Sequence, residues 1–495
     1  MSVIVNEIRR STYLDSIVLM RISRQIAGLP GVEEAGLVIG TPANKEILRE
    51  AHILATDGEK AEPGDLILAL RAKDDIAAEA ALAEANRLLE HPEISGVPAS
   101  DNASRTIRAA VQRMPNANLA LISVPGHFAP AEARKALALG LNVMIFSDNV
   151  PIAEEIALKL EACERGLLMM GPDCGTAIIG GVPLAFANVV PRGDIGLIGA
   201  SGTGIQEVSC LVARAGGGVS HAIGTGGRDL RAEVGAIATL MAIDALDADP
   251  ATRHIVLISK PPADAVARLV LDRVAKSPKP FTICFLGARD LALPANARLA
   301  ATLKAAAELA MGSAADQGPT QLSLLRADGG KLVRGLFAGG TLCAEAQIVF
   351  GQAGLAVASN VPVPGARMTD ANGGQNGGHL MIDLGADEFT RGRPHPMIEP
   401  AVRDRPLADA LADPAVGVIL LDIVLGYGGH PDPAGHLANV LSGRDRGPLL
   451  LASVTGTDGD PQVRSAQVQK LTEAGVLVAE SNADAAELAI KAIGG

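Results

Sequence analysis

The chain has no tryptophan and few rings of any kind, with eight Phe and two Tyr among 495 residues. Its cores must therefore be made of Ala, Leu, Val and Ile, which is ample for α/β layers. Long hydrophobic runs are missing too. Each is broken by charge, Gly or Pro well before the roughly 18 residues that suggest a membrane helix, and Met1 to Arg10 lacks the layout of a signal peptide. The expectation is a cytoplasmic protein. Positive charge is in deficit: 43 Lys and Arg against 55 Asp and Glu leave a net charge of -12, which argues against nucleic acid or an anionic membrane as partner and suits a metabolic enzyme. The five cysteines are an odd number without C-x-x-C spacing, so neither a disulfide framework nor a zinc site is indicated. Cys284 sits in an apolar run and reads as a core thiol. Cys174 and Cys343 lie in glycine-rich loops or helix starts, where a lowered thiol pKa would be reachable, yet free cysteine usually behaves as a small hydrophobe and both read as packed residues.

What the chain does have is a pattern that occurs twice. Ser201-Gly-Thr-Gly-Ile-Gln-Glu207 and Gly339-Gly-Thr-Leu-Cys-Ala-Glu345 share Gly-Thr-x-x-x-Glu. Each copy follows an apolar run with strand character, Asp194 to Gly199 and Lys331 to Ala338, and opens a stretch with helical spacing. A strand, a small-residue turn and a helix start make an anion site, because free N–H groups and the helix dipole meet there and glycine lets the backbone come close. Ser201, Gly202, Thr203, Gly204, Gly339, Gly340 and Thr341 are thus candidate phosphate contacts, with Gly226 and Arg228 of the Gly224-Thr-Gly-Gly-Arg-Asp229 turn as a third wall. Two such sites suggest one phosphate held from both sides.

The first hundred residues read β-α-β-β-α, which suggests a ferredoxin-like α+β sandwich over 1–105. Strand and helix then alternate in parallel-sheet grammar over 106–190, 191–312 and 331–495, with 313–330 as a linker. The fold class expected is α/β: a Rossmann-like domain of the CoA-binding kind, then two flavodoxin-like domains. The segment Asp383 to His395 concentrates cations and hydrogen-bonding groups in one loop. There Arg393 is a candidate for gripping a carboxylate and His395 for polarising a carbonyl, and a loop pinned by its own ion pairs fits equally well. Glu207 and Glu345 are candidate catalytic carboxylates, or carboxylates that answer a helix dipole. Thr203 and Thr341 read as phosphate contacts or as N-caps. Asp422 and His430 could share a metal, although a surface loop accounts for His430 as well; no metal is assigned.

The segments Gly171-Pro-Asp-Cys-Gly-Thr176, Gly199-Ala-Ser-Gly-Thr203 with Glu207, and Val124-Pro-Gly-His-Phe128 resemble the alpha subunit of succinyl-CoA synthetase. Ala338 to Thr341, Ile382-Asp-Leu-Gly385 and Gly456-Thr457 resemble the carboxy-terminal domain of its beta subunit. Over its whole length, through Gly40-Thr-Pro-Ala-Asn-Lys45, Gly392-Arg-Pro-His-Pro-Met397 and Gly456-Thr-Asp-Gly-Asp-Pro-Gln462, the chain is similar to the FdrA family. The synthetase resemblance implies two helix N-termini aimed at a phosphate carried by a histidine. This chain has both helices, but no histidine between His254 and His379 and no ATP-grasp domain, and the glycine-rich turn of a CoA site is replaced. The FdrA resemblance implies a subunit that, with two partner proteins, forms an oxamate carbamoyltransferase acting on oxalurate, phosphate and carbamoyl phosphate. Asp173, Cys174, Asp383 and Arg391 are the candidate substrate contacts. CoA belongs to the alternative, an acyl-CoA synthetase subunit; a non-catalytic scaffold is the remaining reading. A homo-oligomer or hetero-complex is expected.

Overall fold

The computed structural model describes residues 2–10, 12, 14, 16–90, 104, 106–288, 291–312, 330–369, 378–390, 394–444 and 447–494. The chain divides into two compact units, residues 1–106 with 390–394, and residues 107–389 with 395–495.

The smaller unit is an antiparallel sheet in the order Val3–Arg9, Leu66–Ala72, Val32–Ile39. The middle strand is buried on both faces. Leu66, Leu68 and Leu70 turn towards the helices Ser16–Ala27 and Asp75–Glu90, while Ile67 and Ala69 pack with Leu48, Ile53 and Ala61. The second face is covered by Pro42–Glu50 and Thr56–Glu59, two helices that sequence periodicity did not indicate. The first of them is written locally: Thr41 caps it, accepting from Asn44 N, and Pro42 fills the first turn, where a missing N–H costs nothing.

In the larger unit, a three-stranded parallel sheet, Leu119–Ile122, Asn142–Ile145 and Met169–Met170, precedes two seven-stranded sheets. The first large sheet has five parallel strands, Ala297–Leu299, Phe281–Phe285, His254–Ser259, Ile195–Gly199 and Val219–Gly224, and ends in the antiparallel hairpin Thr176–Ile179/Val182–Ala185. The hairpin places 176–185 in this sheet, ahead of the boundary at 190 read from the sequence. The second large sheet is wholly parallel: Arg367–Met368, Val357–Ser359, His379–Asp383, Leu332–Phe337, Val416–Val424, Leu449–Thr455, Leu477–Ala479. This is the mixed α/β class with Rossmann-like parallel sheets.

In each large sheet the strand before the repeated motif is the middle one. Neighbours are added on both its sides, so the motif helices, Gly202–Arg214 and Gly340–Gln352, begin where strand order reverses. Ligands of such sheets bind at that crevice. The two motif helices and the last helix of each half, Leu303–Ala310 and Asn482–Ala492, share one apolar cluster that includes Val208, Leu342, Ala306 and Ala485. The two halves are therefore joined by a continuous core, and the small alanines let the helices approach closely.

Candidate functional site

The two helix starts meet. Ser201 is the N-cap of the first motif helix, its Oγ accepting from Gly204 N at 3.0 Å, and the same oxygen is hydrogen-bonded to Thr341 Oγ1 of the second. In helix geometry the first-turn N–H groups of Gly202, Thr203, Gly340 and Thr341 have no intrahelical acceptor, and both sets open on this contact. Neither motif threonine is a cap: Ser201 and Gly339 hold those positions.

The second turn is fixed by Asp422, whose pairing with His430 in the sequence is open to a metal or to a surface loop. Its carboxylate accepts from Ala338 N and Gly339 N, each at 2.7 Å, and from Arg403 Nη2 at 2.7 Å, all buried. His430 does not join it; its Nδ1 accepts from Asp432 N. Among the described residues no group of three His, Cys, Asp or Glu is placed to hold a metal. Asp383, at the end of its strand, lies over the second helix start. A Cβ on Gly340 would stand 2.5 Å from its Oδ2, and one on Gly202 would stand 2.9 Å from Thr176 Oγ1, so each glycine is required by the close approach of its neighbour. Burial raises Asp383 to about 6, and the positive charge of Lys260 opposes the rise. Lys260 follows the His254–Ser259 strand directly, and no motif in the sequence marks it.

Glu207 and Glu345 lie one turn further in and are not free. Glu345 Oε1 accepts from Leu303 N (2.6 Å), the first residue of the last helix of the opposite half; Glu207 Oε1 accepts from Asn482 N (3.2 Å), the first residue of the corresponding helix. Asn482 Nδ2 also donates to Glu345 Oε2 (2.7 Å), and Thr455 Oγ1 donates to Glu207 Oε2. Each motif glutamate thus answers the dipole of a helix across the joint. A second repeat could have revealed this. Ala306-Ala-Glu-Leu-Ala310 and Ala485-Ala-Glu-Leu-Ala489 each lie four residues after a cap, Thr302 and Ser481.

Burial, and then Glu207, push Glu345 up to about 7. A folded value above the ordinary one means that the native state keeps a proton the unfolded chain has released. This contribution to stability therefore falls as pH rises from about 4.5 to about 7, by about 3 kcal/mol, and stays constant above. Glu345→Gln should flatten part of that decline in urea unfolding compared at about pH 5 and about pH 8. Asp173 and Asp383 titrate in the same direction and leave a residual slope. An unchanged profile in the variant would show that Glu345 is ionised in the fold.

The other candidates divide. Asp173 lies at a crowded loop, where desolvation and then Asp148 raise its carboxyl to about 6. Gly226 packs on Gly171 and Pro172 beside it. In Arg228, the candidate third wall, Nη2 is engaged by Glu155 Oε2 at 2.8 Å and by Val150 O at 2.8 Å. Cys174 is a buried thiol raised to about 12, and burial raises Cys343 as well, so neither is an activated nucleophile. His395 is half-buried against Gly385, its Nδ1 accepting from Met397 N at 3.2 Å, and desolvation lowers it to about 4. The ring is neutral with its proton on Nε2. Arg391 and Arg393 lie outside the described residues, as does nearly all of the 313–330 linker.

Two family models match the chain, CoA-ligase over residues 336–492 and the AllF heavy metal-associated domain over residues 1–105. The metal of the second name finds no fitting donor set, because residues 1–105 hold no cysteine and only His52 and His91. Over 503 aligned positions the chain is 43% identical to the uncharacterized protein YahF of Escherichia coli (strain K12), with 97% of each covered. It is 27% identical over 142 residues to the succinate–CoA ligase [ADP-forming] subunit alpha 2 of Archaeoglobus fulgidus, covering 27% of this chain and 47% of that one. A solved structure, the apo form of dinucleotide forming acetyl-coenzyme A synthetase 1 of Ca. Korarchaeum cryptofilum, aligns over 76% of this chain and 83% of its own, with 15% identity and a TM-score of 0.32. No helix among the described residues is long and apolar enough to cross a membrane.

Proposed function

Because the chain belongs to the FdrA/AllF-like family of succinyl-CoA synthetase-type proteins, with YahF alike over nearly its full length, we propose that it is an acyl-transfer subunit of the CoA-ligase kind. In this reading it holds the phosphate of an acyl phosphate between the starts of its two motif helices. The contact between Ser201 and Thr341 carries the proposal, since it brings two sets of first-turn N–H groups to one place. In the ligase reading a CoA thiolate attacks the acyl carbon, the bond from that carbon to the phosphate oxygen breaks, and phosphate leaves with the electron pair. Fixed N–H donors and the Lys260 ammonium stabilise the charge that gathers on it, with no reorganisation at the moment of reaction.

A second acceptor is favoured by the state of the histidines. His395, which packs against Gly385 beside Asp383, is neutral and already hydrogen-bonded, which suits a scheme without a phosphorylated carrier. Carbamoyl transfer of the oxamate type is such a scheme: an oxygen of hydrogenphosphate attacks the carbamoyl carbon of oxalurate, the carbon–nitrogen bond breaks, the nitrogen leaves with the electron pair and takes the proton that the hydrogenphosphate gives up, and carbamoyl phosphate and oxamate separate. The chain and its encoded neighbours, purified together, should be assayed for acyl-CoA from acyl phosphate and CoA, and for carbamoyl phosphate from oxalurate and phosphate. Turnover in the first assay supports the ligase reading and in the second the carbamoyl reading; turnover in neither leaves the scaffold. With labelled ATP or acyl phosphate, no acid-labile label should remain on the denatured chain. Label on any histidine would restore the relay and sink the carrier-free scheme.

A further inference from the structure

A cavity of about 530 Å³ lies at the far end of the first motif helix, between the two halves of the larger unit. The helix has thirteen residues, so roughly 20 Å separates it from Ser201. Val189, Pro191 and Arg214 line it from one half, Thr457, Arg464 and Ser465 from the other. The walls are tied to each other beneath the cavity. Buried Asp460 accepts from Asn188 Nδ2 (2.8 Å), Val189 N (2.7 Å) and Thr457 N (2.7 Å), and Thr457 Oγ1 donates to Val189 O (2.6 Å). The space is therefore formed before anything enters it, which lowers the ordering cost of binding.

Two guanidinium groups stand in its walls. Arg214 donates Nη2 to Glu480 O, but its Nη1 is buried and makes no hydrogen bond among the described residues. Glu480 Oε2 stands 4.0 Å away on an exposed side chain. Arg464 donates Nε to Val454 O, and burial, followed by the charge of Arg214, lowers its pKa. Asp458, the carboxylate on the rim, accepts from Ser465 N at 2.7 Å. A buried donor without an acceptor beside a second guanidinium is costly unless something else supplies the oxygens. Arginine forks match phosphate and carboxylate oxygens, and the valines and proline opposite offer an apolar wall.

We propose that this cavity binds a small organic dianion, its charged head between Arg214 and Arg464 and its body against Val189 and Pro191. Phosphate monoesters and dicarboxylates share that chemistry, and titration calorimetry of the full chain with phenyl phosphate and with phenylsuccinate separates them. One probe should bind saturably and more tightly than inorganic phosphate. Loss of a charge-assisted contact should weaken it about ten- to hundredfold in Arg214→Met and in Arg464→Met. Thr341→Val, which alters only the paired helix starts, should leave it unchanged. Should Arg214→Met fail to fold, Ser465→Phe fills the mouth from an exposed position and should abolish binding. The proposal is overturned if neither probe binds at millimolar concentration, if binding survives both arginine variants or Ser465→Phe, or if Thr341→Val removes it.

Discussion

Replacing Lys159 with methionine is expected to lower the stability of the larger unit by about 3 to 5 kcal/mol, the usual cost of taking one partner out of a buried ionic network. Lys159 is fully buried on the Ile152–Glu164 helix. Its ammonium donates to Glu155 Oε1 at 2.8 Å, Asp229 Oδ1 at 2.8 Å and Thr225 O at 3.2 Å. Asp229 in turn accepts from Ala238 N, Thr239 N and Thr239 Oγ1 at the start of the Ile237–Ala248 helix. One cation thus joins three elements, and its loss leaves Asp229 buried without a cation and Glu155 with Arg228 alone. Lys135→Met, at an exposed pair with Glu132, should cost about 1 kcal/mol or less and serves as the control. Urea unfolding followed by circular dichroism measures both. A cost for Lys159→Met no greater than the control would show that water reaches the network.

Thr341→Val should reduce kcat for acyl-phosphate turnover by about 10²- to 10³-fold, the effect of removing one preorganised donor from a developing charge. The change deletes the hydroxyl that meets Ser201 and keeps the branched shape of the side chain. Ser201→Ala loses the same contact together with a helix cap, so its effect mixes activity with about 1 kcal/mol of stability. The double variant then distinguishes two cases. If both hydroxyls act on one phosphate, the losses are far from additive; if each serves its own half, they add. Additive losses, or a Thr341→Val enzyme with unaltered kcat, would remove the shared phosphate from the mechanism.

The paired helix starts were legible in part because the signal is local. Gly-Thr-x-x-x-Glu, an apolar strand before it and helical spacing after it all fall within about two turns of each copy, and local patterns fix element type. The Gly40-Thr-Pro-Ala-Asn-Lys45 segment carried an equally local cap and proline, yet its helix was passed over because its apolar stripe is short.

The amino-acid sequence by itself determined the alternation of strands and helices, the Ala-, Leu-, Val- and Ile-built cores, the packed character of Cys174, Cys284 and Cys343 and the two strand–turn–helix motifs. Only the tertiary structure decided that Ser201 meets Thr341 across 140 positions, that Glu207 and Glu345 answer the last helix of the opposite half, that Asp422 holds the second turn, and that Arg228 Nη2 engages Glu155 and Val150. The reason is physical. A cap or an apolar stripe acts through neighbours within a few residues, whereas a buried polar group must find its partner wherever packing brings one, and that partner can be any residue with the right atoms.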